Sequence, residues 1–97
     1  MKAVRVSRDA DRDLDDIWLY IARDNLDAAT RLLGEIRACF SLLAKSPEIG
    51  RTRNEMRPGM RSYPVGNYVI YYRVGEAHIG ILRVVHGARD PKRVFRR

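Results

Sequence analysis

The chain is short of cysteine, of long apolar runs and, in its second half, of negative charge. Cys39 is its one cysteine, so neither an intrachain disulfide nor a thiolate metal cluster can form. It stands among Ile36, Phe40 and Leu43 and reads as a small buried hydrophobe, the usual setting of a free cysteine. No apolar run approaches the roughly 18 residues that span a bilayer. The opening MKAVRVSRDADRD carries no signal-peptide core, so the expectation is a cytoplasmic chain without membrane contact. The seven glycines form no phosphate-cradling loop. His78 and His86 lie on one strand without a third clustered ligand, so neither a metal nor another cofactor is expected.

What is present is basic charge, unevenly placed. Of the 19 Lys/Arg and 12 Asp/Glu, eight of each lie in residues 1–46, leaving eleven cations against four acids in 47–97. The whole net charge of +7 therefore sits in the second half. Solubility alone does not require such a split, whereas long-range attraction of a polyanion or an acidic protein segment would use it.

Periodicity divides the 97 residues into four stretches of one domain. In 1–46, Ala3–Val6 is a short β-branched strand and Ser7 a helix N-cap, with Asp9 and Asp11 at the positive end of the dipole. Ala10, Leu14, Ile17 and Ile21 then recur at helical spacing, which predicts a helix from Arg8 to Arg23. Asp11, Arg12, Asp13, Asp15 and Asp16 fall on its solvated side. After Asp24-Asn25, the stripe Ala29, Leu32, Leu33, Ile36, Phe40 and Leu43 predicts a second helix, Asp27 to Lys45, packed antiparallel on the first. Ser46-Pro47 ends it. Residues 47–59 read as an ordered basic loop without periodicity. In 60–86 the period becomes two, giving strands Met60–Tyr63, Tyr68–Val74 and Ile79–His86 with turns at Pro64–Asn67 and Gly75-Glu76. Residues 87–97 form a basic tail whose Val94-Phe95 pair suggests an anchor on the body. The result is an α+β fold of order β–α–α–β–β–β, its helical hairpin covering one face of a small antiparallel sheet.

Three fragments carry a family resemblance: Asp13-Leu14-Asp15-Asp16-Ile17-Trp18-Leu19-Tyr20-Ile21-Ala22, the hairpin Arg61 to Arg73, and Ile81 to Asp90. In this order they resemble the first helix, central hairpin and last strand of ParE-like toxins of the RelE/ParE superfamily of type II toxin–antitoxin systems. The resemblance implies a cognate antitoxin with a DNA-binding N-terminus and an acidic C-terminal segment that wraps the toxin. Operator DNA would be reached only through that antitoxin. It also implies a target, DNA gyrase for ParE-type members or messenger RNA on the ribosome for RelE-type members.

An RNA-cleaving site needs a base, cations on the phosphorane and an acid for the leaving oxygen. Arg61, His86 and Arg89 are the candidates; Arg61 and Arg89 match arginines of RelE-type nucleases. Register through Gly87-Ala88-Arg89-Asp90 puts Phe95 where those nucleases carry a tyrosine, and phenylalanine moves no proton. Arg51, Arg53 and Arg57 stand nearest to their basic residues, and an arginine is a poor base. The expectation is a non-enzymatic toxin. A ribosome-dependent endoribonuclease and a non-toxic member of a repressor complex stay open as alternatives.

For binding, Trp18 and Tyr20, with Ile21, Leu32, Ile36 and Phe40, are expected to border or line the groove that an antitoxin helix fills. Edge strands of the sheet could accept an extra strand. Arg61, Arg73, Arg83, Arg89, Lys92 and Arg93 are expected to meet the target.

Overall fold

A computed structural model describes residues 1–95; Arg96 and Arg97, the end of the basic tail, lie outside the described residues. The elements are β1 (Ala3–Val6), α1 (Arg8–Ala22), α2 (Leu26–Lys45), a 3-10 turn at Pro47–Ile49, β2 (Arg51–Thr52), β3 (Met60–Val65), β4 (Tyr68–Val74), β5 (His78–His86) and α3 (Pro91–Val94). α1 starts at the predicted Arg8, and α2 at Leu26, one residue before its predicted start. Ser7 Oγ accepts from Ala10 N–H and Asn25 Oδ1 from Ala28 N–H, each satisfying a donor of an open first turn.

The five strands form one sheet in the order β1-β5-β4-β3-β2. β3, β4 and β5 are the expected antiparallel meander. β1, however, pairs parallel with β5, Val6 opposite Ile81, so the sheet is mixed. The helical hairpin supplies the long crossover that a parallel pair requires. Two other boundaries differ from expectation. Pro64 is paired with Val69 inside β3. β2 reaches only Arg61 and Ser62, so Pro64 stands where β3 has become an edge strand, the position in a sheet that tolerates proline. The basic loop 47–59 is also partly regular. Tyr72 Oη donates to Pro47 O at 2.6 Å and accepts from Gly50 N–H at 3.0 Å. A Cβ at residue 50 would collide with that hydroxyl, which is why glycine stands there.

Strand alternation gives the sheet two apolar faces. On one, Leu14, Ile17, Ile36, Phe40 and Leu43 pack on Ile70, Tyr72, Ile79, Ile81 and Val84. On the other, Met60, Tyr71 and Val85 form a smaller cluster, covered by Met56 from the basic loop and by Val94 and Phe95 from the tail. The Phe95 ring meets Tyr71 edge-on at 5.2 Å, and the Arg57 guanidinium lies over Phe95 at 5.1 Å. The anchoring role read from Val94-Phe95 thus has a physical basis in aromatic and cation–π contact.

Candidate functional site

β1 ends at Val6, opposite Ile81, and beyond it the outer edge of β5 is taken over by α1. Ser7 N–H bonds to Ile81 O and Ser7 Oγ donates to Leu82 O. Further along α1, Asp13 Oδ2 accepts from Val84 N–H at 2.9 Å. A β-bulge between Tyr71 and Tyr72 shifts the phase of β5, and Arg83 reaches around the edge to the same carboxylate. Nε lies 2.7 Å from Oδ2 and Nη2 lies 2.8 Å from Oδ1. The fork raises the Arg83 pKa, first through the hydrogen bonds to Asp13, against the opposing effect of burial. Asp13 is therefore a buried edge cap, not one of the solvated acids of α1.

Next to this cap lies a crevice of about 430 Å³ between the second half of α1 and the ends of β4 and β5. Ile17, Tyr20, Tyr68 and Val84 make it apolar, and Asp16, His86 and Arg89 stand at its rim. Tyr20 is 70% exposed, far more than packing against its own fold would leave. His86 meets the Tyr68 ring edge-on at 5.5 Å. Its Nδ1 accepts from Ala88 N–H, which leaves Nε2 to carry the proton of the neutral ring.

The residues expected to form a groove divide by burial. Tyr20 is exposed, and Trp18, Ile21 and Leu32 are half-buried. Ile36 is fully buried and Phe40 only 4% exposed. These two face the sheet as core and cannot contact a partner while the hairpin stays packed. Tyr68 and Val84, which sequence reasoning assigned to strands alone, line the crevice instead. Asp13, Ile17 and Tyr20 lie at i, i+4 and i+7, so their shared face was available in the spacing.

The expected target-binding cations divide as well. Arg61 donates to the carbonyls of Glu48 and Gly50. Arg73 donates to Pro58 O, and Arg83 is held by Asp13. Arg61 and Arg83 are half-buried and brace the fold, whereas Arg73 is exposed and makes its bond at the surface. Arg89, Lys92 and Arg93 are exposed, and among the described residues none of them joins an ion pair. Arg89 and Arg93 border one open hollow at the start of the tail.

The three nuclease candidates are not assembled at one point. Arg61 pairs with Tyr72 and His86 with Tyr68. Four residues of β4 separate these positions, about 13 Å of strand. His86 and Arg89 share the crevice; Arg61 stands apart, its guanidinium already bonded.

A family model described as "ParE toxin of type II toxin-antitoxin system, parDE" matches residues 4–91. The chain belongs to this ParE toxin family. Toxin ParE1 of Caulobacter vibrioides is 38% identical over 93 residues, covering 95% of this chain and 96% of that protein. Toxin ParE1 of Mycobacterium tuberculosis is 36% identical over 86 residues, with 87% and 88% covered. Among solved structures, a chain of a chromosomal ParDE system from P. aeruginosa superposes with a TM-score of 0.76 at 24% identity, covering 89% of this chain and 96% of that one. A chain of the RelBE2 toxin–antitoxin complex of M. tuberculosis gives 0.61 at 27% identity, covering 88% and 96%. The ParE assignment makes this chain the toxin half of a type II toxin–antitoxin pair, and the RelE/ParE fold expected from its three motifs is the fold it has. Among the described residues, no helix is long and apolar enough to cross a membrane.

Proposed function

We propose that this ParE toxin arrests growth by binding DNA gyrase without catalysing a reaction, and that a cognate antitoxin silences it. The observation that carries the reading is the division of the cations. Arg89, Lys92 and Arg93 remain exposed at one corner, while Arg61 and Arg83 are half-buried and bonded within the fold. Uncompensated charge of this kind steers association and contacts acidic surface. The same charge draws the acidic C-terminal segment of the antitoxin, so one surface serves silencing and attack. Contact with operator DNA belongs to the antitoxin's N-terminal part in the joint complex.

The test is a supercoiling assay with purified toxin and purified gyrase. Dose-dependent loss of supercoiling, relieved by adding the antitoxin, is the expected result. Inactivity of folded toxin at concentrations well above that of the enzyme would remove gyrase as the target.

One observation favours a second reading, the RelE-type ribonuclease: His86 and Arg89 share a crevice. Against it stand the distance of Arg61 and the absence of a hydroxyl on Phe95, which is packed on Tyr71. If toxin on translating ribosomes cut transcripts and lost that ability with His86→Ala, the binding reading would give way to this one. A chain with no effect on growth when expressed alone would instead be a member of a repressor complex without toxicity.

A further inference from the structure

The edge of the sheet away from the crevice carries a second cleft, and its backbone dictates how a partner could use it. β2 pairs Arg51 with Ser62 and Thr52 with Arg61, and Arg53 N–H bonds to Met60 O at 2.7 Å. The backbone polar groups of β3 that face outward are therefore those of Met60, Ser62 and Pro64. The β2 segment meets the first two. The third position has no N–H, so a strand laid along the rest of this edge would find an acceptor and no donor. Recognition here falls to side chains.

The same local chemistry opens the cleft. Tyr72 Oη holds Gly50 N–H, and the 3-10 turn Pro47–Ile49 keeps the chain off the edge instead of along Pro64. The space between, about 350 Å³, is lined by Ile49, Tyr63, Pro64 and Val69, with Arg51 and Arg53 beside them. Ile49 is 42% exposed. A single exposed isoleucine is ordinary, but this one stands over an apolar cleft whose charged lining residues are both arginines. Arg53 meets Glu55 at 3.5 Å. Arg51 is exposed and, among the described residues, joins no ion pair.

This cleft continues the surface that begins at the tail. Phe95 meets Tyr71 at 5.2 Å, Arg57 lies over Phe95, and the Arg53 guanidinium lies 6.0 Å from the centre of the Tyr71 ring. The sheet face turned away from the hairpin thus carries a run of arginine and aromatic side chains from the tail to the cleft. The crevice beside α1 differs in both respects. Asp13 and Asp16 are among its lining residues, and it opens at the other edge, with β4 between β5 and β3.

We infer that the β3-edge cleft is an anchoring part of the target-binding surface and takes an apolar side chain flanked by carboxylates, from an acidic segment of the target protein. This placement rests on the reading of the target given above and adds the site and chemistry of a second contact. The apolar side chain fills the space between Ile49, Pro64 and Val69. A carboxylate beside it meets Arg51, whose guanidinium can take both oxygens. Contacts at the tail and at this edge together fix the orientation of the partner, which tail charges alone would leave loose.

The experiment compares the parent toxin with Ile49→Asp and with Arg51→Glu, measuring binding of each to purified gyrase and to purified antitoxin. Thermal melts establish that the variants are folded. The Arg51 side chain makes no bond within the fold among the described residues, so Arg51→Glu keeps the test decisive even where Ile49→Asp loosens the turn. Each change is expected to weaken binding to gyrase by at least about tenfold while affinity for the antitoxin stays within about twofold. Undiminished binding of both folded variants to gyrase overturns the inference and leaves the gyrase reading standing. Weaker binding to the antitoxin with gyrase binding intact assigns the cleft to the antitoxin and overturns it as well. Folded parent toxin that binds no gyrase overturns the target reading, and this inference falls with it.

Discussion

Arg83 holds both oxygens of the Asp13 carboxylate, and the same carboxylate accepts the N–H of Val84. One acid thus ties α1 to the open edge of β5 and fixes the side chain that turns back toward the tail, where Arg83 Nη1 lies 3.4 Å from Val94 O. Removing one partner strands the other, so Asp13→Ala should cost about 3 kcal/mol, near the low end for a buried pair because Arg83 is partly hydrated. Urea denaturation reads this as a lower midpoint at constant slope. The double change Asp13→Leu with Arg83→Met should cost less than the two single changes added together.

Tyr72 organises the start of the basic loop through one hydroxyl. Tyr72→Phe leaves the Gly50 N–H and the Pro47 carbonyl without their partner, a loss of about 1–3 kcal/mol. Gly50→Ala should be at least as damaging, since its methyl would meet the Tyr72 ring. Thermal melts give the stability, and trypsin cleavage after Arg51 or Arg53 should become faster in both variants.

Alkaline pH should destabilise the toxin. Burial raises the phenol pKa of Tyr71 and Tyr72 above the ordinary value of 10.0, outweighing the nearby Arg53 for the first and the Gly50 N–H and Arg61 for the second. Above that ordinary value the unfolded chain releases these protons while the folded chain still holds them. Stability is therefore complete below about pH 10 and falls as pH rises through the folded-state values. Melting temperature against pH checks this, and Tyr72→Phe should shallow the alkaline slope.

Charge reversal separates structural from surface cations. Arg89→Glu, Lys92→Glu and Arg93→Glu should leave the melting temperature within a degree or two, because exposed changes cost little. Together they should abolish growth arrest and reduce binding to the target by about tenfold or more. Arg61→Glu should instead unfold the chain partially, since it removes the guanidinium that ties the carbonyls of Glu48 and Gly50. A surface triple variant with full toxicity would show that the tail does not contact the target.

Phe95→Ala removes the ring between Tyr71 and Arg57. The expected loss is about 1–2 kcal/mol of stability, the worth of an aromatic pair plus partial burial. A single-turn helix has no other large anchor, so trypsin should cut after Lys92 and Arg93 much sooner. Phe95→Leu should restore part of the protection.

Much of the fold was legible because apolar spacing reports it. Ala10, Leu14 and Ile17 line the core face of α1, and the start of α1 was signalled by Ser7, whose side chain caps it. What local pattern could not convey is which distant strand a segment chooses. β1 reads the same whether its neighbour is parallel or antiparallel, so the pairing with β5 was not visible. Asp13 was misplaced for a related reason. On a helical wheel it looks like its acidic neighbours, and only the arrival of Arg83 and Val84, some seventy residues later in the chain, makes it interior. At the candidate site, the exposure of the basic tail and of Tyr20 accords with their residue types, while the bonds that hold Arg61 and Arg83 depend on a carbonyl and a carboxylate distant in the chain. Ile36 and Phe40 were offered as contact residues because a stripe on a hairpin looks alike whether a sheet or a visitor covers it.

The parallel pairing of the first strand has a consequence for synthesis. Ser7 and Leu82 are bonded although they are 75 positions apart, and β1 has no other strand neighbour. A nascent chain must therefore carry β1 unpaired until β5 has left the ribosome, and contacts of such long range close late. Premature termination anywhere before β5 leaves β1 without the strand it pairs with and should yield an open, protease-sensitive fragment.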